Sequence, residues 1–119
     1  MALGPVLVIG LDPVRIPGWD PEPVVAAIAR GQARFGERGI DADYCLVVPD
    51  ENAEEAIVAA LTGRDYACVV IGGGIRTYEP LLEFFEKVVN LVRRHAPGAA
   101  IAFNNTPEDT ADAAIRRLR

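Results

Sequence analysis

The 119-residue chain contains one lysine, one histidine, one tryptophan and only two cysteines. Cys45 and Cys68 lie in separate apolar runs without metal-binding or redox spacing, so we expect two buried thiols and no bound metal. No apolar stretch approaches the ~18 residues that a membrane-spanning helix needs. The first ten residues lack the basic start of a signal peptide. These absences predict a cytoplasmic protein without a membrane partner.

The balance of charge excludes further classes of partner. A net charge of −5 argues against nucleic acid and anionic membranes as default partners. Eleven arginines accompany the single Lys87, which genomic composition bias explains better than a phosphate-binding design. Half of the residues are apolar, which is typical of a folded protein, and the length predicts one domain over residues 1–119.

Apolar runs alternate with helical patterns along the whole chain. The strands are predicted at 5–11, 41–48, 66–71 and 99–103, and the helices at about 20–38, 53–61, 78–95 and from 107 onward. Gly39 indicates the end of the first helix, and Thr106 as N-cap with Pro107 at the first helical position indicates the start of the last. Such a β-α repeat predicts a parallel sheet with right-handed crossovers. The simplest winding is a three-layer α/β sandwich with strand order 2-1-3-4, a flavodoxin-like sheet that lacks the fifth strand. Ligands bind such sheets at the carboxyl ends of the strands where the winding reverses, here β1 and β3.

The stretch Tyr66–Thr77 places a buried strand before Gly72, Gly73 and Gly74 and then Arg76. Glycines allow positive φ and close approach of a ligand. Their amides, with Arg76 as a bidentate clamp and Thr77 beside it, are candidates for binding a small anionic molecule. The alternative is a tight turn in which Arg76 pairs with Glu79 or Asp12.

Other polar residues follow strands at the same predicted edge. Asp12 is a candidate general acid or base, a hydrogen-bond acceptor for a sugar hydroxyl, or a turn residue before proline, and its pKa could be raised by burial or lowered by Arg76. Asn104 and Asn105 are candidates for orienting a ligand, although asparagines before a helix commonly serve the turn. Trp19, in a long proline-rich loop, is a candidate lid or an ordinary packing residue.

The apolar residues of the helix predicted at 78–95 span an arc of about 180°, wider than the ~100° stripe that covers a sheet. The surplus predicts a second apolar neighbour, either the same helix of a second subunit in a homodimer or another part of this chain. His95 lies at the C-terminal end of this helix, where a cation is favourable, and we expect a structural role for it.

Several known families can be compared with these residues. The turn after the first strand is Gly10-Leu-Asp-Pro13, which is not the nicotinamide fingerprint, and no P-loop lysine motif is present. The fold resembles response-regulator receiver domains, but Gly72 or Gly73 replaces the phospho-acceptor aspartate. It also resembles flavodoxin-like proteins, without their hydroxyl-rich phosphate loop. More broadly, the glycine-arginine turn and the asparagine turn make the chain similar to small bacterial Rossmann-like α/β proteins of unassigned function.

The sequence therefore predicts a domain that binds a small anionic or nucleotide-like ligand, with acid/base or hydrolytic chemistry centred on Asp12 if it is an enzyme. No cofactor is specified by these residues. The competing hypothesis is a non-enzymatic interaction or scaffold module that acts through the helix at 78–95. The two hypotheses predict different sensitive residues, Arg76 for the first and the apolar helix face for the second.

Overall fold

The computed structural model describes residues 3–118, and these form one four-stranded sheet with helices on both faces. All pairings are parallel, and the strand order is β2-β1-β3-β4, as predicted. The strands are β1 (Leu3–Leu11), β2 (Ile40–Val47), β3 (Cys68–Ile71) and β4 (Ala100–Phe103). The main helices are α1 (Glu22–Glu37), α2 (Ala53–Gly63), α4 (Leu82–His95) and α5 (Thr110–Leu118), and α3 (Gly73–Arg76) is a single turn.

The two central strands are apolar on both faces because helices cover both sides of them. Val6 and Val8 of β1 pack with α1 and α5, whereas Leu7 and Ile9 pack with α2 and α4. The four residues of β3 are fully buried. Continuous apolar runs of this kind are what a parallel sheet between two helical layers requires.

The predicted start and end signals are observed at two helices. Gly39 adopts φ +68° directly after α1, which makes it the glycine stop expected there. Thr106 caps the 3-10 turn Pro107–Asp109 that leads into α5, and Asp109 completes a capping box with it. The fold between β4 and α5 is therefore fixed by local side-chain bonds.

The region after β3 differs from the prediction in two respects. The helix expected at 78–95 begins as a separate 3-10 turn, Glu79–Leu81, and is α-helical only as α4, because Leu81 leaves helical geometry at φ −100° and ψ 15° between them. None of the three glycines at 72–74 has a positive φ, so the left-handed conformation that glycine allows is not used there. They continue instead into the short helical turn α3, at a place where backbone from another turn passes close by.

No helix among residues 3–118 combines the length and the apolar character needed to cross a membrane.

Candidate functional site

A cavity of about 280 Å³ opens at the carboxyl edge of the sheet, under the N-terminal half of α1. Residues of β1 and β2 and of the turns that follow β3 and β4 form its wall. Gly10 and Leu46 come from β1 and β2, the glycine turn at 72–74 follows β3, and Asn104 with Asn105 follows β4. The convergence of four strand ends expected from the topology is therefore present in the structure.

The wall of the cavity is predominantly apolar. Val24 and Ile28 of α1 lie over it, Leu46 and Tyr44 of β2 form one side, and Trp19 lies at its entrance with 44% of its surface exposed. None of the lining residues carries a charge. Binding sites for small molecules have this character, apolar walls with a few convergent polar groups.

The C-terminal half of α1 packs closely against the turn that precedes α5. At Gly31 a β-carbon would overlap the carbonyl of Pro107, so the two backbones touch there without an intervening side chain. Gly31 and Phe35 are buried, whereas Val24 and Ile28 are only half-buried. The C-terminal half of α1 is thus sealed against the fold, and the N-terminal half leaves space below it.

Gly10, on the β1 side of the cavity, also enlarges it because it has no side chain. It lies in β1, its main-chain conformation is ordinary, and a β-carbon there would meet only Leu46 Cδ2 at 3.5 Å. A glycine inside a strand commonly marks a place where something approaches the backbone closely. Here the missing side chain enlarges the cavity.

Asn104 joins the two turns that form the polar end of the cavity. Its Oδ1 accepts a hydrogen bond from the Gly73 N–H at 2.8 Å, and its Nδ2 donates to Thr110 Oγ1 at 2.8 Å. Its backbone carbonyl accepts from Arg76 Nη2 at 2.6 Å. With only 5% of the residue exposed, most of its hydrogen-bonding capacity is used inside the protein.

The glycine amides are partly engaged as well. The Gly72 N–H donates to the Ile9 carbonyl at 2.8 Å, and the Gly73 N–H is held by Asn104. The Gly74 N–H has no hydrogen-bond partner within residues 3–118. A β-carbon on Gly73 would lie 3.3 Å from the Asn105 carbonyl, so this glycine serves the close packing of the two turns. One of the three amides remains free for a ligand.

A carboxylate lies beside the polar end. Asp109 accepts hydrogen bonds from the backbone N–H groups of Asn105 at 3.0 Å and Thr106 at 3.3 Å. Its own N–H donates to Thr106 Oγ1 at 3.3 Å. Because this negative charge already occupies the amides of the turn, an anionic group at the cavity would be stabilised mainly at the Gly74 side.

Asp12 does not line the cavity. Its carboxylate accepts hydrogen bonds from Arg15 Nε at 2.8 Å and from the Val14 N–H at 3.1 Å, and so it closes the turn after β1. The hydrogen bond from Arg15 lowers the pKa of the Asp12 carboxyl, a role that the sequence analysis had offered to Arg76. A carboxyl of this kind is ionised at neutral pH and is a weak base.

Arg76 and Thr77 also lie outside the residues that line the cavity. Arg76 is half-buried on the other side of the Asn104 backbone, with its guanidinium 6.0 Å from the Phe103 ring centre. It pairs with neither Glu79 nor Asp12, so the alternative proposed for it is not observed. The Thr77 hydroxyl donates to the Gly73 carbonyl at 2.7 Å, which holds α3 together.

The structure therefore brings Gly72, Gly73, Gly74, Asn104, Asn105 and Trp19 to one cavity, and it places Asp12, Arg76 and Thr77 elsewhere. The sequence analysis missed Gly10, Tyr44 and Leu46 as lining residues. Gly10 carried a usable signal, since glycine is rare inside a buried strand. Across residues 3–118, no cluster of three or more histidine, cysteine or acidic side chains is arranged to hold a metal ion.

The chain matches no protein-family model, and a search of curated proteins finds no similar one. The resemblance to flavodoxin-like and small bacterial Rossmann-like proteins stays a prediction beyond the shared strand order.

Proposed function

We propose that this chain is a cytoplasmic small-molecule-binding domain whose ligand occupies the cavity at the carboxyl edge of the sheet. The observation that carries this proposal is the apolar cavity built from all four strand ends. Its volume lies near the lower limit of the ~300–1,000 Å³ typical of ligand sites. A ligand of nucleobase or nucleoside size fits it better than an intact dinucleotide.

The walls favour an uncharged, largely apolar body inside the cavity. Val24, Ile28 and Leu46 offer only apolar contact, and Trp19 and Tyr44 add aromatic rings to the wall. A charged group buried among them would lose its hydration without a partner. An anionic group of the ligand would instead remain at the polar end, near the free Gly74 N–H and the exposed Asn105. This arrangement suits a nucleotide-like ligand with its base inside and its phosphate outside.

Trp19 provides a direct test because it is the only tryptophan of the chain and lies at the cavity entrance. Its fluorescence and the melting temperature would be followed during titration with nucleosides, nucleotides, sugar phosphates and aromatic carboxylates. A ligand present at 100 times its Kd contributes about 2.7 kcal/mol, which raises the melting temperature by several degrees.

Val24→Phe is the blocking variant and Val25→Phe its matched control. Val24 lines the cavity, whereas Val25 is 43% exposed and does not line it. We expect the ligand response to be lost in the first variant and retained in the second. The proposal fails if no compound in the panel stabilises the wild-type protein more than Val24→Phe. If a nucleoside binds as tightly as its nucleotide, the proposed contact between the phosphate and the Gly74 N–H is wrong.

As a second function we propose a homodimer that forms through the segment 78–95. The observation in its favour is the exposure of three large apolar side chains in or near this segment, Tyr78, Leu82 and Phe103, with 55%, 61% and 38% of their surfaces exposed. The rings of Phe85 and Phe103 lie 5.9 Å apart, so apolar side chains of α4 and of the edge strand β4 are neighbours here. Contiguous apolar surface of this kind is typical of protein–protein interfaces.

Light scattering on the wild-type protein and on Leu82→Glu tests the dimer. We expect a dimer for the first and a monomer for the second, because a buried glutamate without a partner opposes association. Val14→Glu is the control, since Val14 is 69% exposed in the loop after β1, and it should remain dimeric. A monomeric wild-type protein refutes this function and leaves ligand binding unaffected.

A further inference from the structure

A second concave surface, a groove of about 570 Å³, lies between α1 and β2. Its walls are formed by Gln32, Phe35 and Gly36 of α1 and by Ile40, Asp41, Ala42 and Tyr44 of β2. Alternate side chains of a strand face the same side of the sheet, so Ala42, Tyr44 and Leu46 form one row. Ala42 lines the groove, Leu46 lines the cavity, and Tyr44 lines both. The groove and the cavity are therefore neighbours, with Tyr44 between them.

The facing helix α1 shows the same order. Ile28 lines the cavity, and Gln32 and Gly36, about one and two turns later, line the groove. Between them lies Gly31, where a β-carbon would be 3.6 Å from the Tyr44 hydroxyl oxygen. The Tyr44 side chain thus reaches α1 at the glycine that separates the two concave surfaces, and it forms the partition between them.

No hydrogen bond holds this partition in place among residues 3–118. The Tyr44 hydroxyl is buried and has no partner there. Burial raises the pKa of Tyr44 to about 12. Buried hydroxyls normally have a partner, and leaving one unpaired costs free energy. The side chain is held by packing instead, including an edge-on contact with Phe35 at 6.2 Å between ring centres.

Tyr44 also lies at the open edge of the sheet. Within residues 3–118, β2 has β1 as its neighbour on one side and no strand on the other. A change of rotamer about the Cα–Cβ bond can therefore turn the ring outward, where water would bond the hydroxyl. The hydrogen bond gained in this way offsets part of the cost of exposing the ring.

The two surfaces define the shape and polarity of a longer ligand. The cavity alone lies near the lower limit of typical ligand sites, and together with the groove it falls well inside their range. The free Gly74 N–H and Asn105 lie at one end, and the Gln32 amide and Asp41 lie at the other. Because Asp41 is already paired with Arg64 at 2.7 Å, the groove end favours a neutral hydrogen-bonding group over a second charge.

We propose that Tyr44 decides the length of the ligand, and that the cavity and the groove form one elongated site when its side chain turns outward. The ligand is anionic at the Gly74 end, apolar in the cavity, and neutral and polar at the end that lies in the groove. This inference rests on the proposed ligand site in the cavity and extends that site along α1.

Two rigid carboxylates of different length, benzoate and 4′-hydroxybiphenyl-4-carboxylate, test the extension by calorimetric titration. We expect the longer one to bind the wild-type protein at least about tenfold tighter, because its second ring is buried in the groove. Gly36→Leu fills the groove, and a β-carbon at Gly36 meets no atom within 4 Å, so this variant is not strained. It should lose the advantage of the longer compound. Gly63→Leu, equally free of contacts but in α2, is the matched control and should retain it.

Two variants of Tyr44 test the partition. Tyr44→Ala should strengthen binding of the longer carboxylate by about a further tenfold, because no ring has to move. Tyr44→Phe should weaken it several-fold, because a phenyl ring gains no hydrogen bond by turning outward. Urea unfolding shows whether each variant is folded, and the midpoint for Tyr44→Phe should be no lower than that of the wild type. A lower midpoint would mean that the hydroxyl is bonded where it lies, which overturns the inference.

The outcomes separate this inference from the ligand site itself. If the cavity binds a compound that Val24→Phe excludes, but the longer carboxylate binds no tighter than benzoate, the cavity stands and the extension is refuted. An advantage that survives Gly36→Leu places the second ring outside the groove and also refutes it. If no compound binds, the proposed function fails and the extension fails with it. Loss of the advantage in Gly36→Leu but not in Gly63→Leu, with weaker binding to Tyr44→Phe, supports the inference even if Tyr44→Ala does not fold.

Discussion

The helices α1 and α4 follow the neighbouring strands β1 and β3, and both begin at the carboxyl edge of the sheet. In each of them the C-terminal half is the better buried, with Gly31 and Phe35 in α1 and Val88 and Val92 in α4. Their N-terminal halves differ. Under α1 there is a cavity, whereas the start of α4 presents exposed apolar side chains on its outer surface.

The difference shows how one architecture can produce two kinds of site. The backbone of α1 is in close contact with its neighbour at Gly31, and space remains between the start of the helix and Gly10 of β1. The apolar surface there is therefore concave. At α4, the ring of Phe85 lies 5.9 Å from that of Phe103, and the apolar side chains of Tyr78 and Leu82 are exposed to solvent. A concave apolar surface suits a small molecule, and a convex one suits another protein.

The largest expected effect concerns Gly31, where the backbone of α1 packs against the Pro107 carbonyl. Gly31→Ala places a β-carbon against the Pro107 carbonyl, and backbone cannot move aside cheaply, so we expect a loss of about 3 kcal/mol in unfolding free energy. Gly36→Ala in the same helix meets no atom within 4 Å and should be neutral or stabilising by up to about 1 kcal/mol. Urea unfolding measures both. Equal effects would show that α1 is not held at Gly31.

The next effect concerns Asn104, whose hydrogen bonds join the two turns at the polar end of the cavity. Asn104→Ala leaves the Gly73 N–H and the Thr110 hydroxyl without their partner, which we expect to cost about 2 kcal/mol and to weaken ligand binding. Asn105→Ala removes an exposed side chain that makes no hydrogen bond among residues 3–118, and should change stability by less than about 0.5 kcal/mol. The interpretation is wrong if the two variants are equally stable.

The smallest effect lies toward the amino ends of the strands, away from both sites. There the Tyr66 hydroxyl donates to Asp43 at 2.7 Å, and Arg64 bonds the same carboxylate at 2.8 Å. The Tyr66 bond, with Arg64 second, lowers the pKa of the Asp43 carboxyl. Asp43 is partly exposed, so solvent screening reduces the contribution. Tyr66→Phe should cost about 1 kcal/mol at pH 7.

The pH dependence of that variant follows from the sign of the shift. A lowered folded-state pKa stabilises the protein above the unfolded value of about 3.9, and this contribution is lost as the pH falls through the folded value. The stability difference between wild type and Tyr66→Phe should therefore shrink as the pH falls below about 3.9, through the lowered pKa of the folded-state Asp43 carboxyl. Tyr78→Phe, at an exposed hydroxyl, is the control. A difference that does not depend on pH would show that Asp43 is not the partner that matters.

Much of the fold could be predicted because its signals are local. The apolar runs of β1 and β3 indicated strands buried on both faces, Gly39 indicated a helix stop, and Thr106 with Pro107 indicated a helix start. Alternation of strands and helices then left few topologies, and the strand order followed from the handedness of crossovers.

The site was predicted only in part because side-chain partners are not local. The sequence brought Asn104 and the glycines to one edge, but it could not show that Asn104 would use its amide on Gly73 and Thr110. Nor could it show that Asp12 would pair with Arg15, three residues on, and leave Arg76 to the Asn104 carbonyl.

The sequence by itself determined the layers, the strand order and the edge at which polar residues gather, since periodicity, glycine and proline act within a few residues of chain. Only the tertiary structure decided which helix lies over a cavity, which glycine amide stays free and which groups Asp12 and Arg76 are bonded to. Those properties depend on distances between segments as far apart as Gly31 and Pro107, and contacts at that separation are fixed by packing of the whole fold.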